Sequence, residues 1–400
     1  MKTINADRLA TVIFHGTWED NGVNHTVARY VDRVNFWRDL LPRALYDQLE
    51  SATPGDTANI SLNDILPDYE PNQVYQVSHR QIKKQTDNGK TIVPRFGRFY
   101  PKGMLAGLPN VFSQNMTPFR CIDVDEKTIK ADFNHLLAGK SLQLDAVVED
   151  VREKFEERGG TANDWIENVL DGAGIQSRWQ NRPTDFFSDR PFARQDERED
   201  GIFYENPRFV NHIDDKAIEV IGDLYGRLLA PQMRVLDLMS SWTSHLPDQM
   251  AFEQVSGLGM NTAELAANDR LTDYLVHDLN TAPRLPYADE SFDAVICTVS
   301  VEYLTSPFEI FKAVRRVLKP EGYFILTFSN RWFAPKVIGI WPELHMMERL
   351  GLVLEYFYQT GGFDRLNTYT VQGYDRPETD KYYPQMLEAD PVFAVWGRKA

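Results

Sequence analysis

The chain reads as two folds in series: a mainly β, α+β domain over residues 1–155, then a doubly wound α/β domain over residues 205–400. Three observations predict this. In the second half, apolar runs at Arg234–Leu238, Gln254–Leu258, Ala294–Val299 and Tyr323–Phe328 are separated by segments of helical periodicity, the alternation that builds a parallel sheet. In the first half, period-two alternation broken by turn signals marks strands at Thr11–Trp18, Thr57–Leu62, Arg120–Val124 and Ser141–Val151, with one helical patch at Phe36–Leu49. Between them, residues 156–204 carry charge runs such as Arg194–Asp200 and few aliphatics, which predicts a linker with one short helix at Asn163–Leu170.

Composition narrows the function classes. The 400 residues carry a net charge of -15 and 42% hydrophobic residues, enough for ordinary cores and unsuited to phosphate backbones, so no nucleic-acid partner is expected. The two cysteines, Cys121 and Cys297, lie far apart, and Cys297 falls inside an apolar strand pattern, where a buried thiol is the simplest reading. The eight histidines show no metal-type spacing, so no metal is expected. The opening MKTINADRLATV lacks the apolar core of a signal peptide, and no run approaches ~18 apolar residues. A cytoplasmic enzyme without membrane contact is the expectation.

The chemistry concentrates in Val235-Leu236-Asp237-Leu238-Met239-Ser240-Ser241-Trp242 and in Leu285 to Asp293, LPYADESFD. The first delivers a carboxylate and a turn of mostly small residues from a strand tip; the second leads into the next buried strand. That order resembles the class I S-adenosylmethionine-dependent methyltransferases, specifically the type 11 group. The resemblance implies S-adenosylmethionine as cofactor and a Rossmann-like sheet. It assigns Asp237 to the methionine part of the cofactor and the turn Met239, Ser240, Ser241 to its close approach, although Met239, Ser241 and Thr243 stand where the family has glycines. Gly259 occupies the position of the ribose-binding acid, and Asn261 offers an amide two residues on. Asp278 matches the residue facing the adenine amino group, with the Leu279 N–H donating to the ring and Ser300 beyond the following strand.

Acceptor-side candidates follow from topology, since ligands bind at the carboxyl ends of such strands. His245 is the candidate general base because imidazole titrates near neutrality, with a helix-cap role as the alternative. Glu302 and Tyr303 leave the strand ending at Val299 and either face a substrate or start a helix. Trp242, Trp332 and Phe333, with Trp341, could wall the acceptor pocket or simply pack in the core. His212 and Tyr204 are placed to form a lid. The resemblance favours a small-molecule acceptor.

In the first half, Ala131–Leu142 (ADFNHLLAGKSL) running on to Glu153, together with Asp39–Leu45 and Pro54-Gly55-Asp56, is similar to the SlyD-type FKBP prolyl isomerases. The resemblance implies an insert-in-flap subdomain at about 73–130 and an isomerase-like pocket containing Leu41 and Phe133. Gly16 and Arg43 depart from that family's pocket, so weak isomerase activity is expected, with folding, docking or dimerisation as the domain's role. His135 is a turn residue in this reading. An attached FKBP-like domain also raises a protein acceptor as an option. Two other functions stay open: a folding factor with a methyltransferase-like passenger, and a non-enzymatic scaffold.

Overall fold

The structure is a computed structural model describing residues 2–400 except Asp64, 84–90 and 156–158; the first residues of the expected linker therefore lie outside the described residues. The amino-terminal half contains β1 (Arg8–Asp20), β2 (Val23–Asn35), α1 (Arg43–Leu49), β3 (Thr57–Ser61), β4 (Val74–Ser78), β5 (Phe99–Pro101), β6 (Pro118–Val124), β7 (Thr128–Asp132) and β8 (Leu142–Glu153). Then come α2 (Trp165–Val169), α3 (Asp200–Phe203), α4 (Asp215–Leu228), β9 (Arg234–Leu238), β10 (Gln254–Gly259), α5 (Thr262–Ala267), β11 (Asp273–Val276) and β12 (Phe292–Thr298). The chain ends with α6 (Pro307–Val317), β13 (Leu318–Phe328), α7 (Met346–Thr360), β14 (Phe363–Gln372) and β15 (Val392–Lys399).

The carboxyl-terminal strands run in the order β11-β10-β9-β12-β13-β15-β14, with the first five parallel. β15 is antiparallel to both of its neighbours, β13 and β14. Side chains alternate across this sheet as the pleat demands. Val235, Ile296 and Ile325 face α4, which buries Ala217, Ile221, Leu224 and Tyr225. Leu236, Val295, Phe324 and Leu326 face the opposite way, toward α6 and α7. Helices therefore cover both faces, as the parallel strands predict. α4 starts where Asp214 caps it, its Oδ1 accepting from the Ala217 N–H at 2.9 Å. α6 starts with Pro307, whose missing N–H costs nothing in a first turn.

The sheet does not stop at the domain boundary. β14 pairs in parallel with β2 from Leu366↔Val23 to Gln372↔Arg29, so the order continues β2-β1-β8-β3 to make one eleven-stranded sheet. A second sheet, β4-β7-β6-β5, stands apart over residues 74–132, with its own core of Val77, Phe119, Cys121, Ile129 and Ala131. The helical patch at Phe36–Leu49 is shorter than expected. Its first residues form a turn held by Asp39, and α1 begins only after Pro42, whose ring disfavours helix at Leu41.

The linker expectation is corrected. Ile166, Val169, Leu170, Ala173, Ile175 and Phe186 are buried in the main core. Ile166, Val169, Leu170 and Ala173 follow the i, i+3, i+4, i+7 spacing of the expected short helix, and the charge runs around them hide that this face meets core. Further along, the segment is tied down by charge. Arg178 makes a bidentate pair with Glu355 at 2.7 and 2.8 Å, and Arg194 pairs with Asp200 at 2.7 Å.

α7 is the axle of this arrangement. It is buried on nearly every side from Met347 to Phe357, including Glu348 and Glu355, two turns apart on one face. Glu348 accepts from Arg98 Nε at 2.7 Å and from the Phe99 N–H at 3.0 Å, which fastens the small sheet to the helix. Arg120 of the same sheet donates to the Gly174 and Ser177 carbonyls at 2.9 and 3.0 Å. Both partners of the Arg98–Glu348 pair are buried, so removing one strands the other in low dielectric. Glu348→Ala should lower stability by about 3–5 kcal/mol in urea unfolding of the full chain; a change below about 1 kcal/mol, the range of an exposed pair, would show that the small sheet is not anchored there.

Candidate active site

A cleft opens at the carboxyl ends of β9, β10 and β12, where the strand order reverses between β9 and β12. This switch point is where doubly wound sheets leave a crevice. The turn after β9 forms one wall, and residues 204–213 close over the top.

Asp237, one residue before the end of β9, is buried at 2% exposure. Its Oδ2 accepts from Ser240 Oγ and Ser244 Oγ, both at 2.6 Å. Asn268 Nδ2 in turn donates to Ser244 Oγ at 2.9 Å, and to the Ser241 carbonyl. Burial pushes the Asp237 carboxyl up to about 6, against the two serine hydroxyls that favour its ionised form. Ser240 and Ser244 thus serve Asp237, and Ser241 Oγ donates to Glu264 Oε2 at 2.7 Å. Met239, at a family glycine position, takes φ 59°, the left-handed conformation that glycine adopts without cost.

Gly259 closes β10, and a Cβ there would sit 2.1 Å from the Ser240 carbonyl oxygen. The turn after β9 lies directly on this position, so an acid cannot occupy it. Asn261 does not substitute. Its Oδ1 caps α5 by accepting from the Ala263 and Glu264 N–H groups, and its Nδ2 donates to the Tyr204 and Glu205 carbonyls. The expectation that Asn261 binds the ribose is therefore corrected: both ends of its amide are committed to the protein.

Asp278 and Leu279 line the cleft as expected. Asp278 Oδ1 accepts from the Asn280 and Thr281 N–H groups and Oδ2 from Thr281 Oγ1, which holds the loop in shape. Asn280 then reaches Asp200 Oδ2 at 2.9 Å and the Tyr303 carbonyl at 3.0 Å. Lys336, almost wholly buried, pairs with the same Asp200 at 3.1 Å. Ser300 lines the cleft with its hydroxyl donated to the Thr298 carbonyl. Three non-glycine residues around the cleft, Met239, His245 and Val299, have positive φ of 59°, 52° and 47°. Strained backbone of this kind is found where a surrounding structure holds a functional geometry.

The acceptor-side candidates separate. Tyr303, Phe333, Trp242 and His245 line the cleft. Tyr303 Oη accepts from the Phe333 N–H at 2.8 Å, and the Phe333 ring meets His212 at 4.8 Å and Phe203 at 5.5 Å. Trp242 Nε1 donates to the Val210 carbonyl at 3.3 Å, linking turn to lid. Burial holds His245 down at about 4, so the ring is neutral at pH 7 and a weaker base than its type suggests.

Glu302 and Trp332 are corrections. Glu302 is 0% exposed and does not line the cleft; its short 3-10 turn points it into the core, and burial pushes it up to about 8. Trp332 turns away to stack under the Arg349 guanidinium at 4.5 Å, which Trp341 also contacts at 5.6 Å. Leu41 and Phe133 are not brought together either. Leu41 packs on the main core beside Ile166, whereas Phe133 packs with Tyr75 and Phe119 in the small sheet. They share no pocket because the small sheet docks on α7 and the connector.

The residues that sequence reasoning missed are Glu264, Asn268, Asn280, Asp200 and Arg208. Arg208 lies over the Phe203 and Phe333 rings at 4.4 and 5.2 Å, and its N–H donates to Glu264 Oε1 at 2.7 Å. None of these stands in a recognisable motif. Among the described residues, no group of three or more His, Cys, Asp or Glu is arranged to hold a metal ion, and no helix is long and apolar enough to cross a membrane.

Residues 241–326 match the methyltransferase domain family. The malonyl-[acyl-carrier protein] O-methyltransferase of Marinomonas sp. (strain MWYL1) is 33% identical over 69 residues, 17% of this chain and 26% of that protein. The biotin biosynthesis bifunctional protein BioHC of Teredinibacter turnerae is 42% identical over 43 residues, 11% of this chain and 8% of that protein. The chain thus spans about a quarter of the length of the first of these relatives. A solved S-adenosylmethionine-dependent methyltransferase of Aquifex aeolicus is 15% identical, covering 50% of this chain and 97% of that one at a TM-score of 0.31. The likeness of residues 241–326 to a methyltransferase domain supports S-adenosylmethionine as the cofactor. The cleft fits that group. Besides Asp200, which Arg194 and Lys336 already neutralise, its carboxylates are Asp237, Glu264 and Asp278 against a single lining arginine, Arg208, a balance that suits a ligand bearing a sulfonium cation.

The Asp237 carboxyl yields a pH prediction. Its folded pKa lies above its unfolded one, so the native state binds the proton more tightly. The group therefore costs stability as pH rises from about 4 to about 6, and the cost is complete above that range. Asp237→Asn should gain on the wild type by up to about 3 kcal/mol at pH 7–8, and the two should converge below pH 4, in denaturation measured across pH. A difference independent of pH would show that Asp237 is not held near 6.

Proposed function

We propose that this protein transfers the methyl group of S-adenosylmethionine to a small-molecule acceptor in the cleft at the tips of β9, β10 and β12. The observation that carries the reading is Asp237, a buried carboxylate at the strand tip beside the switch point, with Asp278 across the same cleft. Bound there, the cofactor supplies an electrophilic methyl group. The chain's own residues hold, orient and exclude water. Asp237 and the turn Met239–Ser241 form the wall for the amino-acid end. Asp278 and the Leu279 backbone hold the adenine end, with Ser300 between the cofactor and the acceptor.

The acceptor lies against Tyr303, Phe333, His212 and the lid aromatic Tyr204. An aromatic wall keeps water from the methyl group and suits a planar or cationic acceptor. The O-methyltransferase named among the relatives keeps an oxygen acceptor in view. With His245 neutral and weakly basic, positioning dominates and base catalysis is secondary. The amino-terminal half serves as support, holding α7 through Glu348 and Glu355.

Calorimetric titration with S-adenosylmethionine and S-adenosylhomocysteine tests the reading. Binding is expected, and Asp278→Ala should weaken it by about 1–3 kcal/mol, the cost of a lost hydrogen bond to a polar ligand group. No binding to the wild type at millimolar ligand would overturn the function proposed.

A further inference from the structure

We propose that Glu264, from the first turn of α5, is the carboxylate that receives the ribose hydroxyls of the cofactor, in place of the acid that the end of β10 cannot carry. The inference rests on the cofactor reading above. It starts from a steric fact. The Ser240 carbonyl lies 2.1 Å from where a Cβ of residue 259 would stand, so the strand tip admits only glycine. The vicinal diol of a ribose then needs an acceptor from elsewhere in the same wall.

Four carboxylates line the cleft, and three are committed. Asp237 is sequestered under the turn, receiving Ser240 and Ser244. Asp200 is paired with Arg194 and Lys336. Asp278 receives three donors from its own loop, and the one of about four acceptor positions that is left belongs, in the reading above, to the adenine end. Glu264 remains. It sits beside the tip of β10, at 9% exposure, between the turn and the lid. Each of its oxygens accepts one bond, Oε1 from the Arg208 N–H and Oε2 from Ser241 Oγ, both at 2.7 Å. A carboxylate has room for about four such bonds, so two acceptor positions stay open for two hydroxyls. The two existing donors also fix the carboxylate plane, so little side-chain freedom is lost when a ligand arrives.

The same bonds give Glu264 a second consequence. Its Oε1 holds the backbone of residue 208, and the Arg208 side chain packs on Phe203 and Phe333. A ribose bound at Glu264 is therefore sensed directly by the lid.

The test compares S-adenosylhomocysteine with its 2′-deoxy counterpart by calorimetry on the full chain, for wild type and Glu264→Gln. Loss of the hydroxyl should weaken binding to the wild type about tenfold or more, because a charged acceptor loses its partner. In Glu264→Gln the parent ligand should bind at least tenfold more weakly, and the deoxy penalty should shrink to about twofold. Equal affinity of the wild type for both ligands overturns the assignment without needing any variant. A full deoxy penalty retained in Glu264→Gln also overturns it, and leaves the methyltransferase reading standing. No binding of either ligand to the wild type overturns both.

Discussion

The parallel pairing of β14 with β2 is the constraint on which the rest depends. It turns two sheets into one, and the seam is buried: His25 is 1% exposed, with Nδ1 2.7 Å from Thr368 Oγ1 and its ring stacked on Trp18 at 5.0 Å. Burial holds the His25 ring down at about 4, so this ring carries no charge near neutral pH. A sheet edge that would otherwise offer unpaired N–H and C=O groups is closed by the other half of the same chain. α7 then lies across the joint, and its two buried glutamates bind arginines from the small sheet and the connector. The strands that carry the cleft are thereby braced from the far side of the molecule.

Within the cleft, one close backbone approach accounts for a departure from the resembled family, the glycine at 259. The turn after β9 lies flat on β10, with the Ser240 N–H donating to the Leu258 carbonyl at 2.9 Å. This contact demands glycine at 259 and places Ser240 and Ser244 over Asp237. Ser240 and Ser244, neither of them at one of that family's glycine positions, supply the donors that the buried carboxylate needs. A second network, Asp200 with Arg194, Lys336 and Asn280, ties the connector to the loop after β11 and to the Tyr303 turn. The lid and the floor of the cleft thus share one buried charge centre.

The sheet of the second half was legible where strands are aliphatic runs, as at β9, β10, β12 and β13. β2 and β14 were not, since polar residues interrupt their buried apolar positions: His25 in one, Thr368 and Thr370 in the other, all about 1% exposed. Their hydrogen bonds cross the seam, more than 300 residues apart in sequence. Asp237, Asp278, Ser300, Tyr303 and Phe333 were legible as cleft residues because topology places strand tips there. Glu302 was misread, since a 3-10 turn of three residues reverses which neighbour faces inward. Glu264 was invisible. Its role depends on the Ser240 carbonyl excluding an acid at 259, and no local pattern in the sequence reports that contact.

The account makes the cleft a cofactor site whose walls are set before ligand arrives. A crystal structure of the full chain with S-adenosylhomocysteine tests this most directly. The account predicts ligand density between the turn at Met239–Ser241 and the Asp278–Leu279 loop, with β14 still paired to β2 and the Ser240 carbonyl still against Gly259. Ligand bound outside this cleft, or a turn displaced from Gly259 to admit it, would contradict the account.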